Sequence, residues 1–114
     1  MHALHRILAD HAGLPRVSAG EIVNCRVDVA GINDLYPQTM YSFEEMGGVR
    51  VKNPGNVLIF LDHYAPASTI RQAENQKQFR AFAKKHDIPE LMDVNEGVCH
   101  QVMAPEYATY LRSP

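Results

Sequence analysis

The chain has 114 residues, 46% of them hydrophobic and 21% charged, enough to enclose one core, which predicts a single domain over residues 1–114. A formal net charge of −2, with no basic run longer than Lys84-Lys85, leaves no electrostatic footprint for nucleic acid. The longest apolar run, Val57–Leu61, is far short of the roughly 20 residues that span a bilayer, and no apolar leader opens the chain, so a cytoplasmic protein is expected.

In chain order, Leu4, Ile7, Leu8 and His11 recur at helical spacing and Gly13 with Pro15 supplies a stop, which predicts a helix over 3–12. Val23, Cys25, Val27 and Val29 alternate with Asn24, Arg26 and Asp28, the period of a half-buried strand with Cys25 as a small core residue. Met40 and Phe43, with Pro37 ahead and Gly47-Gly48 behind, predict a helix over 38–46. Val57-Leu-Ile-Phe-Leu61 follows an Asn53-Pro-Gly turn and is apolar on both faces, as a covered central strand is. Ser68 or Thr69 can cap a helix to about His86, in which Phe79, Phe82, Ala83 and His86 keep one face. Glu90–Val94 and Gly97–Met103, separated by Asn95-Glu-Gly, complete the pattern as short strands. The order implies an α/β fold, a mainly parallel or mixed sheet covered by helices.

In such sheets ligands collect beyond the carboxyl ends of the strands. That rule selects Asp62-His63, where the helix starting near Ser68 would aim its partial positive end at the same rim. A carboxylate beside an imidazole fixes its tautomer and makes a proton donor, although neighbours on a strand point to opposite faces and would pair with other groups. The plainer reading has Asp62 capping a turn and His63 in a loop. A second candidate is Gly97-Val-Cys-His-Gln101, where His100-Gln101 interrupts an apolar strand and needs partners, either in the core or from a ligand. Asn33-Asp34, after a strand and before Pro37, suits an Asx turn and helix cap.

The two cysteines, Cys25 and Cys99, are too few for a disulfide framework and match no zinc spacing. Both are expected to be buried, reduced and unligated. His2, His5, His11 and His86 form no constellation and read as solvated; Met40, Met46, Met92 and Met103 read as core filler.

Taken together, Leu4-His-Arg-Ile-Leu-Ala-Asp-His-Ala-Gly13, Gly20-Glu-Ile-Val, Asp28, Asn33-Asp34, Phe60-Leu-Asp-His63 and Gly97-Val-Cys-His-Gln-Val102 occur in an order similar to the N-terminal part of the aconitase superfamily. The resemblance spans nearly the whole chain and lies in the branch of the large subunits of 3-isopropylmalate dehydratase and homoaconitase. It implies part of an aconitase N-terminal domain, from a hydro-lyase that dehydrates and rehydrates a hydroxy di- or tricarboxylic acid, isopropylmalate-like in the first instance, on a [4Fe-4S] cluster. By the same resemblance Asp62 and His63 assist departure of the hydroxyl, His100 is a second active-site histidine, and Asn33 falls where an amide side chain contacts substrate.

The family's downstream Ser-His-Thr segment and its Cys and CxxC cluster ligands are not found in this sequence, nor are its serine base and substrate-binding arginines. Neither Cys25 nor Cys99 matches a ligand position. The chain alone is therefore expected to bind no cluster and to be inactive. Its expected partners are the remaining large-subunit domains, the small swivelling subunit and the hydroxy-acid substrate. The alternative is a truncated, non-catalytic relative that binds a metabolite or docks on a partner.

Overall fold

A computed structural model describes residues 2–103 of the chain. The first element, α1 (Ala3–Ala12), ends where predicted: Gly13 takes a left-handed φ of 66° and its N–H reaches the carbonyls of Ala9 and Asp10. Its apolar stripe is less covered than the spacing suggests, with Ala9 buried but Leu4 and Ile7 each 56% exposed.

No strand forms over 23–29. That segment runs beside α1, the Arg26 N–H donating to the His11 carbonyl at 2.9 Å and the Cys25 thiol to the Leu8 carbonyl at 3.5 Å. Alternation specifies an extended backbone, whereas a strand also needs a neighbour to accept its ladder. Val27 consequently stays exposed and Cys25 only half-buried, contrary to expectation. Pairing starts just afterwards, in β1 (Ala30–Asn33).

From there the chain follows a βαβαβ path: α2 (Gln38–Glu45), a short helical turn at Pro54–Asn56, β2 (Val57–Phe60), α3 (Ile70–Lys85) and β3 (Glu90–Met92). The sheet is wholly parallel in the order β1-β2-β3. Thr69 is the cap of α3, its hydroxyl accepting the Gln72 N–H at 3.2 Å, and Lys84 and Lys85 place positive charge at the helix's negative end.

The alternation of β2 divides the core in two. Ile59 and Leu61 face the helices, packing with Met40 of α2, with Phe79, Phe82 and Ala83 of α3, and with Ile88. Leu58 and Phe60 face the other side, against Met92 and Cys99. The central strand is therefore covered on both faces, which is why it reads as an unbroken apolar run.

Gly97–Met103 is not a strand. Cys99–Val102 form a short helix, α4, entered through Gly97 at φ 116°. Cys99, Val102 and Met103 all pack on Leu58, Phe60 and Met92, and their i, i+3, i+4 spacing suits a helix as well as an apolar stretch suits a strand. His86 and Met46 also depart from expectation. His86 is 3% exposed, its ring packed against those of Phe43 and Phe82, whereas Met46 is 85% exposed.

Candidate functional site

The register aligns Asn33, Phe60 and Met92, so all three strands end on one line and the loops that follow emerge side by side. The ladder extends one step further: the Asp34 N–H donates to the Phe60 carbonyl at 3.0 Å and the Leu61 N–H to the Met92 carbonyl at 2.9 Å. Asp34, Asp62 and His63 therefore share the carboxyl rim of the sheet.

Asp62 continues the alternation of Leu58 and Phe60 and so leans toward α4, where its Oδ2 accepts the Cys99 N–H at 2.7 Å. Its Oδ1 lies 2.9 Å from Nδ1 of His63. The two neighbours thus pair with each other, contrary to the opposite-faces expectation, because Asp62 still follows the alternation whereas His63 lies beyond the last ladder bond, at Leu61, where nothing holds it to the opposite face. Burial pulls the Asp62 pKa upward, but the Cys99 N–H, the Cys99 thiol and His63 outweigh it and hold the carboxyl below the ordinary carboxylate value. An ionised carboxylate offers only acceptors, so Nδ1 carries the proton in this contact and Nε2 is the nitrogen left to exchange one. The His63 side chain is 34% exposed, whereas that of Asp62 is 2% exposed.

Asp34 lies beneath them. Its side chain is completely buried. One oxygen accepts the His63 backbone N–H at 3.0 Å; the other accepts the Tyr64 N–H at 3.3 Å and the Gln76 side-chain amide at 3.1 Å. The same Gln76 nitrogen donates to the Tyr64 carbonyl at 2.6 Å. Neither Asp34 as a buried anchor nor Gln76 is evident from sequence reasoning. The available signal for Gln76 is a polar residue on the stripe that also carries Phe79 and Ala83; it is 4% exposed.

His100 lies on α4, exposed, directly after the Cys99 amide that Asp62 binds. It is neither in a strand nor in the core, so the requirement for a buried partner lapses. Asn33 closes the expected Asx turn, its Oδ1 accepting the Leu35 N–H at 3.1 Å, but neither Asn33 nor Asp34 caps α2, whose N-cap is Pro37 without a side-chain bond, because Asp34 is turned to the His63 loop instead.

Asp34, Asp62 and His63 bring ligand-type atoms within 4.8 Å of one another, but these atoms are already engaged by the N–H donors described above and by each other. The two thiols do not suit an iron–sulfur cluster. Cys25 leans on α1 with its thiol on the Leu8 carbonyl, while Cys99 is buried in the apolar layer under β2, where burial first and the adjoining Asp62 second push its thiol pKa up, away from the thiolate a metal needs. Cluster ligation by this chain's own cysteines does not fit.

Among the described residues no helix is long and apolar enough to cross a membrane. No family model matches the chain. It is 41% identical over 104 residues to a probable 3-isopropylmalate dehydratase large subunit of Methanothermobacter thermautotrophicus, covering 90% of this chain and 25% of that protein. A 3-isopropylmalate dehydratase large subunit of Methanopyrus kandleri is 43% identical over 86 residues, 75% of this chain and 21% of its own length. A probable methanogen homoaconitase large subunit, also of Methanothermobacter thermautotrophicus, is 38% identical over 108 residues, 90% and 25% respectively. The chain spans about a quarter of the length of these curated relatives.

Proposed function

Because the chain belongs to the aconitase superfamily, at 33–43% identity to large subunits of 3-isopropylmalate dehydratase and homoaconitase, we propose that it is the N-terminal, single-domain portion of such a hydro-lyase. The reaction is reversible removal of water from a hydroxy di- or tricarboxylic acid, isopropylmalate-like by the names of the relatives. In this reading the chain contributes proton-transfer and contact residues, and the rest of the large subunit and a small subunit supply the other half of the site. A cytoplasmic setting agrees with two free cysteines.

The observation that carries the proposal is the Asp62–His63 pair at the carboxyl rim, 2.9 Å apart, with Nε2 as the exchangeable position. Protonated at Nε2, His63 delivers a proton to the hydroxyl that leaves as its C–O bond breaks. Asp62, held ionised, stabilises the ring in both protonation states. In the same reading His100, next along from the amide that anchors Asp62, is the second histidine of the site, and Asn33, at the end of β1, offers its amide nitrogen to a substrate carboxylate or hydroxyl. The [4Fe-4S] chemistry of the family belongs to thiolates outside this chain.

The test is complementation. The chain is combined with the remaining large-subunit domains and a small subunit, and isopropylmalate dehydration is followed for the native sequence and for His63→Gln. Loss of a positioned general acid is expected to lower kcat by about 10²–10⁴-fold, with the visible absorbance of the cluster unchanged. An undiminished kcat in His63→Gln would refute the assignment.

A further inference from the structure

We infer that Asp34 and Gln76 are positioning residues that set the orientation and tautomer of the His63 ring; the catalytic meaning of this rests on the reading of His63 given above. Among the described residues no lysine or arginine pairs with Asp34. It is held by the His63 and Tyr64 N–H groups and the Gln76 amide, with Nδ1 of His63 3.6 Å from the oxygen that binds the His63 N–H. Burying a carboxylate among neutral donors is costly, and an apolar residue could fill the space without that cost. The carboxylate does what an apolar residue cannot: it fixes two successive backbone amides of the loop carrying the imidazole and places a second acceptor on the Nδ1 side of the ring.

Gln76 closes the arrangement. Its nitrogen spans Asp34 Oδ2 and the Tyr64 carbonyl, tying the loop to the long helix α3 through one side chain. The path from α3 through Gln76 and Asp34 to the backbone of His63 is a continuous set of hydrogen bonds, all within 3.3 Å. Asp62 sets the ring from one side and Asp34 sets the main chain beneath it, so both ends of the residue are constrained. Proton transfer depends on such placement, since a displacement of about 1 Å costs on the order of 10²-fold in rate.

Asp34→Asn tests the charge and its acceptors at nearly constant volume. Whichever way the amide is turned, its NH₂ faces an N–H donor, either at His63 or at Tyr64 and Gln76. Gln76→Leu leaves Asp34 intact and removes the tie to α3. The readout is the pair of His63 ring ¹⁵N shifts in the 114-residue chain, which reports the tautomer directly, alongside the β2 amide resonances as a check on the fold. In the native chain the shifts should be those of a ring protonated at Nδ1. In either variant they should move together as the two tautomers mix, while the β2 resonances hold their positions.

Unchanged His63 shifts in a folded variant would overturn the inference, as would an Nε2–H tautomer in the native chain, which can be read even if both variants fail to fold. In the complemented enzyme Asp34→Asn should lower kcat about 10²-fold with KM little altered. Failure of the functional reading is distinguishable: His63→Gln would then leave kcat intact, while the tautomer response to Asp34→Asn would persist.

Discussion

His11 and Asp28 are seventeen residues apart in sequence and their side chains meet at 2.6 Å, joining the last turn of α1 to the segment that leads into β1. The other ring nitrogen of His11 is 2.9 Å from the Ile7 carbonyl. Both nitrogens therefore face acceptors, an arrangement that only the doubly protonated ring satisfies. The hydrogen bond to Asp28, and then that to the Ile7 carbonyl, raise the His11 pKa, and the bond from His11 lowers that of Asp28.

The pH dependence follows from these directions. The contribution of His11 to stability is fully present below its unfolded pKa of 6.5 and is lost as pH rises through the raised folded value. That of Asp28 is present above 3.8 and is lost as pH falls through the lowered folded value. Attachment of the 23–29 segment to α1 should thus be firmest between those limits. Protection of the Arg26 amide from hydrogen exchange, corrected for the intrinsic rate, should peak in that window in the native chain and be flat in His11→Gln; equal profiles would refute the pair's role.

Asp62→Ala removes the acceptor of the Cys99 N–H and leaves that amide buried beside Phe60 without a partner. An orphaned buried donor costs about 1–3 kcal/mol, so urea unfolding should show a loss of that order. The local signature is faster exchange at Cys99 with little change at β3.

Gly97→Ala should be damaging for a different reason. The residue sits at φ 116°, and an added Cβ would lie 2.6 Å from Cγ2 of Val102, inside contact distance. Backbone strain of this type costs about 1–3 kcal/mol, and here it falls on the entry to α4. Denaturation should register the loss, with chemical-shift changes centred on residues 97–103 and not on α3.

Two buried residues, Phe79 of α3 and His86 just past its end, allow a pair of opposite outcomes. Phe79 is fully buried, so Phe79→Ala should cost about 3–5 kcal/mol, a large share of the 5–15 kcal/mol that holds a typical domain together. His86, also buried, has an Nε2 with no hydrogen-bond partner among the described residues and lies 4.4 Å from the Phe82 ring centroid. His86→Phe removes that unsatisfied nitrogen and should raise stability by about 1 kcal/mol, measured by the same urea titration.

The elements read correctly from sequence are those whose signal is local and doubly marked. α3 has a cap at Thr69 and an apolar stripe through Phe79, Phe82 and Ala83; β2 is apolar on both faces and follows a Pro-Gly turn. The failures have one physical origin. Alternation at Val23–Val29 and the apolar stretch at Gly97–Met103 describe a backbone or a composition, and what each segment lies against was decided elsewhere in the chain: α1 in the first case, the β2 face in the second. The same holds at the site. Asp62 and His63 are adjacent and were recognisable as a pair, but Gln76 reaches Asp34 across 42 residues, and no spacing rule links them. His11 looked solvated because its partner Asp28 was assigned to a strand.

β2 makes both pairings of the sheet, and β1 and β3 share none with each other. The sheet therefore behaves like a book with one spine and two leaves. Both leaves rest on the larger core, through Ile32 of β1 and Leu91 of β3, and the β1 leaf leads straight into Asp34. Lifting the β1 leaf alone would take Asp34 away from the loop bearing His63 while leaving the spine and the opposite leaf closed, so that loop can loosen by a local opening that leaves the rest of the fold in place.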